Sequence, residues 1–161
     1  HVFANIDFNF DKDASSEKNL FVKIQRTSND AYFRKHDINT TLVDSEKTTL
    51  ENEIKYTFRK DNYYLDIGTN SYQDLRKKQN SDQYEFILPN IEFGKTFMSQ
   101  SFGILDFKSN ALYKKYETNK QRTLLTNDLT WSPFSNITKN GFVNKLEGMI
   151  RNINYQARKT K

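Results

Sequence analysis

The sequence predicts an all-β protein: an antiparallel meander of about eight long strands. Three observations lead there. Strict two-residue alternation of apolar and polar residues recurs along the chain. No stretch of helical length keeps a 3.6-residue period with caps at its ends. The alternating runs are long, roughly 10–14 residues against the usual five or six, and turn signals separate them.

His1–Phe10 sets Val2, Ala4, Ile6, Phe8 and Phe10 against Phe3, Asn5, Asp7 and Asn9. Asp11–Lys18 reads as a polar turn. Asn19–Ser28 follows, with Leu20, Val22 and Ile24 against Lys23 and Gln25. Asn29–Lys47 is a long connection whose Ala31-Tyr32-Phe33 and Thr41-Leu42-Val43 pieces are short-strand candidates. Thr48–Arg59 alternates most clearly, with Leu50, Ile54, Tyr56 and Phe58 on one side and Glu51, Glu53, Lys55 and Arg59 on the other. A period of two is that of a strand with one apolar and one wet face.

Lys60-Asp61-Asn62 is a tight turn, so Tyr63–Tyr72 returns antiparallel. Asp74–Asp82 is a charged loop. Gln83–Phe93 is the next strand; Pro89 cannot donate to a ladder, so a bulge or break is expected there. Gly94–Phe102 reads as a loop. Gly103–Tyr116 places Leu105, Phe107, Ala111 and Tyr113 opposite Asp106, Lys108, Asn110 and Lys114. Glu117–Lys120 is a turn, Arg122–Trp131 pairs back, and Pro133 ends it. Ser135–Gly141 is a loop, and Phe142–Tyr155 closes the set, with Leu146, Gly148 and Ile150 against Lys145, Glu147 and Arg151.

The 161 residues suit one domain. Because the chain opens on His1 inside a strand-like run, we expect a piece of a longer protein, with flanking strands missing. Mean hydropathy is −0.88, low for a globular domain, yet 13 Phe, 9 Tyr and 1 Trp exclude disorder by composition. The absence of cysteine removes disulfides, zinc–thiolate sites and thiol nucleophiles from these residues. The net charge of +5 fits a solvated Lys-rich surface. No apolar run approaches the roughly 20 residues of a membrane helix, which leaves strands as the only spanning element. Long strands, unequal connections and an aromatic-rich apolar side are marks of an outer-membrane barrel. A soluble secreted β-sandwich binding carbohydrate or a protein partner satisfies the same alternation.

Catalytic and cofactor motifs fall away on inspection. Phe93-Gly94-Lys95-Thr96 ends like a phosphate-binding loop, but the first glycine of that motif would be Pro89. His1 and His36 lack metal-ligand partners at i+2 or i+4. Glu51 and Glu53 share a face with Lys55 and Arg59, as a mixed-charge wet surface does. Asn39-Thr40-Thr41 and Asn136-Ile137-Thr138 match the glycosylation sequon, a frequent chance match in an Asn- and Thr-rich chain. Single-strand nucleic-acid platforms put aromatic and basic groups on one face; here they mostly alternate to opposite faces, so no nucleic-acid partner is expected. No enzyme, cofactor or metal site is expected either. Trp131 and the tyrosines near strand ends fit either an interfacial girdle or sandwich core plugs.

Several stretches in order resemble one family. Arg26-Thr27-Ser28-Asn29-Asp30-Ala31-Tyr32-Phe33-Arg34-Lys35-His36-Asp37 is similar to a segment of the LptD (organic-solvent-tolerance) family of lipopolysaccharide-assembly outer-membrane proteins. Tyr64-Leu65-Asp66 with Tyr72-Gln73-Asp74-Leu75-Arg76, and Leu88-Pro89-Asn90-Ile91-Glu92-Phe93, resemble later segments; 110–116 and 124–131 match more loosely. The family's amino-terminal periplasmic domain, carboxy-terminal strands and disulfide cysteines are not in this stretch.

The resemblance implies that residues 1–161 are an open, curved segment of a large transmembrane β-barrel, part of a single outer-membrane barrel domain. It implies a non-enzymatic path delivering lipopolysaccharide to the outer leaflet, with an LptE-type lipoprotein plug and periplasmic lipopolysaccharide-bridge proteins as partners. Lipid-facing candidates are then Leu50, Ile54, Tyr56, Phe58, Leu65, Ile67, Leu105, Phe107, Ala111, Tyr113, Leu146 and Ile150. Lumen-facing candidates are Glu51, Glu53, Lys55, Arg59, Asp66, Asp106, Lys108, Lys114, Lys145, Glu147 and Arg151. The physical ground is that a Lys or Arg facing lipid at mid-bilayer costs about 2–4 kcal/mol.

Overall fold

The computed structural model describes residues 2–10, 15–27, 35–36, 48–77, 83–116, 120–134 and 136–159. Strands β1 (Val2–Asn9), β2 (Ser16–Arg26), β3 (Thr49–Lys60), β4 (Tyr63–Asp74), β5 (Tyr84–Ser99), β6 (Gly103–Tyr116), β7 (Lys120–Ser132) and β10 (Gly148–Lys159) make one sheet in that order. A separate two-stranded hairpin, β8 (Asn136–Ile137) and β9 (Val143–Asn144), lies in the connection between β7 and β10. Every pairing is antiparallel. The sheet is a single open layer. Among the described residues the buried hydrophobic side chains are Leu50 and Leu75, with Phe3 packed against them. The sandwich expectation requires two sheets closed over the Leu50–Phe58 side, and among the described residues that side has no second layer. The candidate strands at 31–33 and 41–43, His1 and the sequon at Asn39 lie outside the described residues.

Two tight turns lie on one rim of the sheet. Lys60 pairs with Tyr63 around the two-residue turn Asp61-Asn62, and Asp61 takes φ 42°, a conformation Asp tolerates better than most residues. Asn62 then clips the neighbouring strand: its Nδ2 donates to Thr96 O and its carbonyl accepts from Thr96 N, both at 2.7 Å. Residues 100–102 turn β5 into β6. We call this side the turn rim, and the side where β2 and β4 end the far rim.

Several boundaries differ from the sequence expectation. β2 starts at Ser16, inside the expected polar turn, because Ser16, Glu17 and Lys18 pair with Lys60, Arg59 and Phe58. β5 runs on through 94–99, where a loop was expected. Gly94 is a strand residue, paired with Tyr64 and Lys108. The expected irregularity at Pro89 is present: the ladder with β6 shifts between Ile87 and Asn90. β10 begins at Gly148 rather than 142, because Val143 pairs with Ile137 instead. That hairpin is held by Thr138, whose N donates to Phe142 O at 2.9 Å while its Oγ1 accepts from Phe142 N at 3.1 Å.

Candidate functional site

The cross-strand register assigns every strand residue to one of two faces. Glu51 lies opposite Tyr72, Glu53 opposite Asn70, Lys55 opposite Gly68, Thr57 opposite Asp66 and Arg59 opposite Tyr64. Continuing outward, the same face takes Glu17 and Lys23 on β2 and Glu85 and Glu92 on β5. It takes Asp106, Lys108 and Lys114 on β6, Asp128 on β7 and Arg151 on β10. The other face takes Ile54, Tyr56, Phe58, Leu65, Ile67, Ile91, Phe93, Leu105, Phe107, Ala111, Tyr113, Leu125, Leu129 and Ile150. The irregularity at Pro89 keeps the division intact, with Glu85 and Ile87 before it and Asn90 and Glu92 after it all on the charged face. Among the described strand residues every Asp and Glu is on the charged face.

On the charged face, ion pairs join neighbouring strands. Lys23 pairs with Glu51, and Lys55 and Arg59 both reach Asp66 Oδ2, at 3.3 and 3.4 Å. Lys114 meets Glu85 at 2.5 Å. Arg151 forks onto Asp128 through Nε at 2.7 Å and Nη2 at 2.9 Å. Thr96 Oγ1 donates to Asp106 at 2.6 Å. Asp66 Oδ1 and Asn90 Oδ1 are buried with no hydrogen-bond partner among the described residues.

A hollow of about 570 Å³ opens between these pairs, lined by Glu17, Arg59, Tyr64, Gly94, Thr96, Asp106 and Lys108 among others. Its floor is Gly94. The Tyr64 ring occupies the place a Cβ there would take, with Cε1 2.3 Å from that position, and Arg59 sits 5.7 Å from the ring centroid. Gly94→Ala therefore displaces the ring and lowers stability by about 1–3 kcal/mol. In a double-mutant cycle with Tyr64→Ala the two losses are less than additive; full additivity would show that the ring and the glycine do not interact.

On the opposite face the apolar residues form a band that runs obliquely to the strands. It covers Leu20, Val22 and Ile24 on β2, but Leu125, Leu129 and Trp131 toward the turn rim on β7, and only Ile150 near the start of β10. The cross-strand row through Val22 and Ile54 arrives at polar Thr69. The row through Leu129 and Phe107 arrives at Lys95, Tyr63 and Lys60. Aromatics mark the band's edges: Phe58, Tyr63, Phe97 and Trp131 toward the turn rim, and Tyr84, Phe86 and Tyr113 toward the far rim. Trp131 Nε1 donates to Phe102 O at 2.7 Å, which fixes the indole at the strand end. The cations on this face, Lys18, Arg26, Lys60, Lys95, Lys115 and Arg158, stand mostly at strand ends. Lys18 lies over Phe58 and Lys95 over Phe97, at 5.9 and 4.8 Å from the centroids.

The two candidate sets thus separate by face, with four departures. Leu50 alternates with the apolar set but is 1% exposed, enclosed by Leu75 and Phe3, so it offers no surface. Lys145, Leu146 and Glu147 precede β10 and carry no strand register; Lys145 and Glu147 approach each other at 3.9 Å. His36 is exposed. The selection from sequence missed Glu85, Glu92 and Asp128, although the same alternation was there to find them. It also missed a reversal on β10, where Met149, Ile153 and Tyr155 lie on the charged face, exposed, beside Leu124.

A family model described as LptD, LPS transport system D, matches residues 1–160. No curated protein and no solved structure matches.

Proposed function

The chain belongs to the LptD family of outer-membrane proteins, and on that footing we propose that its sheet is a section of barrel wall in the translocon that inserts lipopolysaccharide into the outer leaflet. Its role in lipopolysaccharide transport at the outer membrane follows from the family. In the proposal the apolar band of Ile54, Tyr56, Phe58, Leu65, Ile67, Leu105, Phe107, Ala111, Tyr113 and Ile150 meets lipid. The face bearing Glu51, Glu53, Lys55, Arg59, Asp66, Asp106, Lys108, Lys114 and Arg151 meets the lumen. The observation that carries it is the one-sided placement of every described strand carboxylate, which hydrocarbon demands and water does not. No bond is made or broken: the wall provides a path.

An LptE-type plug seated against the lumenal face would cover Met149, Ile153 and Tyr155, which otherwise leave apolar surface in water. Periplasmic bridge proteins would hand over the cargo. Lys55 and Arg59 are held by Asp66, so their first role is to bind strands together rather than to grip phosphate.

Two experiments test this. In the intact membrane-embedded protein, Ile67→Cys is shielded from a water-soluble maleimide until detergent is added, while Asn70→Cys reacts at once; equal reactivity would sink the membrane placement. In a charge-reversal series, Lys55→Glu and Arg59→Glu lower the amount of assembled protein. Surface lipopolysaccharide per assembled molecule stays within about twofold, as expected of cations that hold strands together through the buried Asp66 rather than grip cargo. A loss of transport at constant assembly would instead assign these cations to the cargo.

A further inference from the structure

We propose that the lipid-side face carries a docking site for the phosphorylated sugar headgroup of a glycolipid in the outer leaflet, at the far rim where β6 and β10 end. A hollow of about 170 Å³ lies there, lined by Tyr113, Gln121, Thr123, Gln156 and Arg158. The register makes it two adjacent rows: Tyr113, Thr123 and Gln156 across β6, β7 and β10, then Lys115, Gln121 and Arg158. All six are on the face opposite the carboxylates. Lys115 and Arg158, both exposed, flank Gln121 two strands apart, about 10 Å from backbone to backbone. With the Gln156 amide turned so that its oxygen accepts, it holds Arg158 through Nε and Nη2, each at 3.2 Å.

The chemistry selects the ligand. Two cations on a face without carboxylates among the described strand residues attract an anion, and a guanidinium held in place suits the oxygens of a phosphate. Gln121, Thr123 and Gln156 add neutral donors and acceptors for which a simple phospholipid phosphate has no counterpart but sugar hydroxyls do. The Tyr113 ring offers an apolar plate beside them. Toward the turn rim the same face turns apolar at Ala111, Leu125 and Leu129, where acyl chains would lie. The hollow thus faces an amphiphile whose anionic, hydroxyl-rich end is at the rim and whose hydrocarbon runs along the wall. This ligand is neighbouring lipid rather than lumenal cargo, because the hollow opens away from the charged face.

The inference rests on the proposed placement of this face against lipid. It also rests on the far rim facing outward: two of its three connections, 27–48 and 75–83, are long, whereas on the turn rim only 133–147 is longer than a short turn. The test uses the intact protein in lipid nanodiscs. The probes are a bisphosphorylated lipid A, its dephosphorylated form and phosphatidylglycerol, with retained lipid counted by native mass spectrometry. Lys115→Ser with Arg158→Ser should lower lipid A retention about tenfold, Thr123→Val about threefold, and Lys115→Arg with Arg158→Lys little. The dephosphorylated lipid should be held weakly by every form.

Unchanged lipid A retention in the double Ser variant would overturn the site. Phosphatidylglycerol retained as well as lipid A, and lost equally on substitution, would overturn the glycolipid assignment. If Ile67→Cys proves open to water, the membrane placement itself has failed; if it is shielded and retention is unchanged, only the docking site has.

Discussion

Ile67→Arg in the intact protein is expected to destabilise the membrane-folded state by about 2–4 kcal/mol, while Asn70→Arg costs about 1 kcal/mol or less. The two positions are three residues apart on β4 and lie on opposite faces. Ile67 is 40% exposed and lies in the row of Tyr56 and Ile91. An arginine there meets no carboxylate among the described strand residues of its face and must reach a rim to find water. Asn70 lies across from Glu53 on the face where cations already pair. Denaturant titration in vesicles of defined thickness measures both. Equal costs would mean that the two faces see the same solvent, and the barrel placement would fall.

Gly103→Ala should be the most damaging single-methyl addition in the chain. Gly103 opens β6 with φ +87°, and a Cβ there would lie 2.4 Å from Ser132 O and 2.6 Å from Pro133 Cα. Both neighbours are backbone, so relief requires moving the end of β7. The left-handed conformation costs an alanine about 1–2 kcal/mol and the overpacking about 1–3 kcal/mol more. Gly141→Ala is the control: its φ is +83° but nothing lies within 4 Å, so only the conformational part applies. If the two variants lose equal stability, the contact with Ser132 and Pro133 is not what requires a glycine at 103.

What could be read from sequence follows from what each residue type reveals. Alternation identified the faces because a period of two is local, and a bulge at Pro89 was expected because proline lacks a donor. Gly94 misled because a glycine carries no facing signal. Its strand role depends on Tyr64, thirty positions earlier in sequence and directly across in space. The same holds for Leu50, enclosed by Phe3 and Leu75 from distant parts of the chain. The segment 142–147 alternates like a strand, yet Val143 finds Ile137 first, since a short hairpin closes more readily than a long ladder. On β10 only Gly148, Ile150 and Arg151 were given a side from sequence, so Met149 and the apolar residues beyond Arg151 went unseen.

The slant of the apolar band has a geometric consequence. From Val22 on β2 to the Leu125–Trp131 stretch on β7, the band drifts by about five residues over five steps between strands. At about 3.4 Å per residue and 4.8 Å per strand, that is an inclination of roughly 35°. A slip of about one residue per strand is the shear by which a sheet winds round an axis until its first and last strands meet. A strand added beyond β10 would then carry its lipid-side apolar residues near its carboxy-terminal end, where it reaches the turn rim.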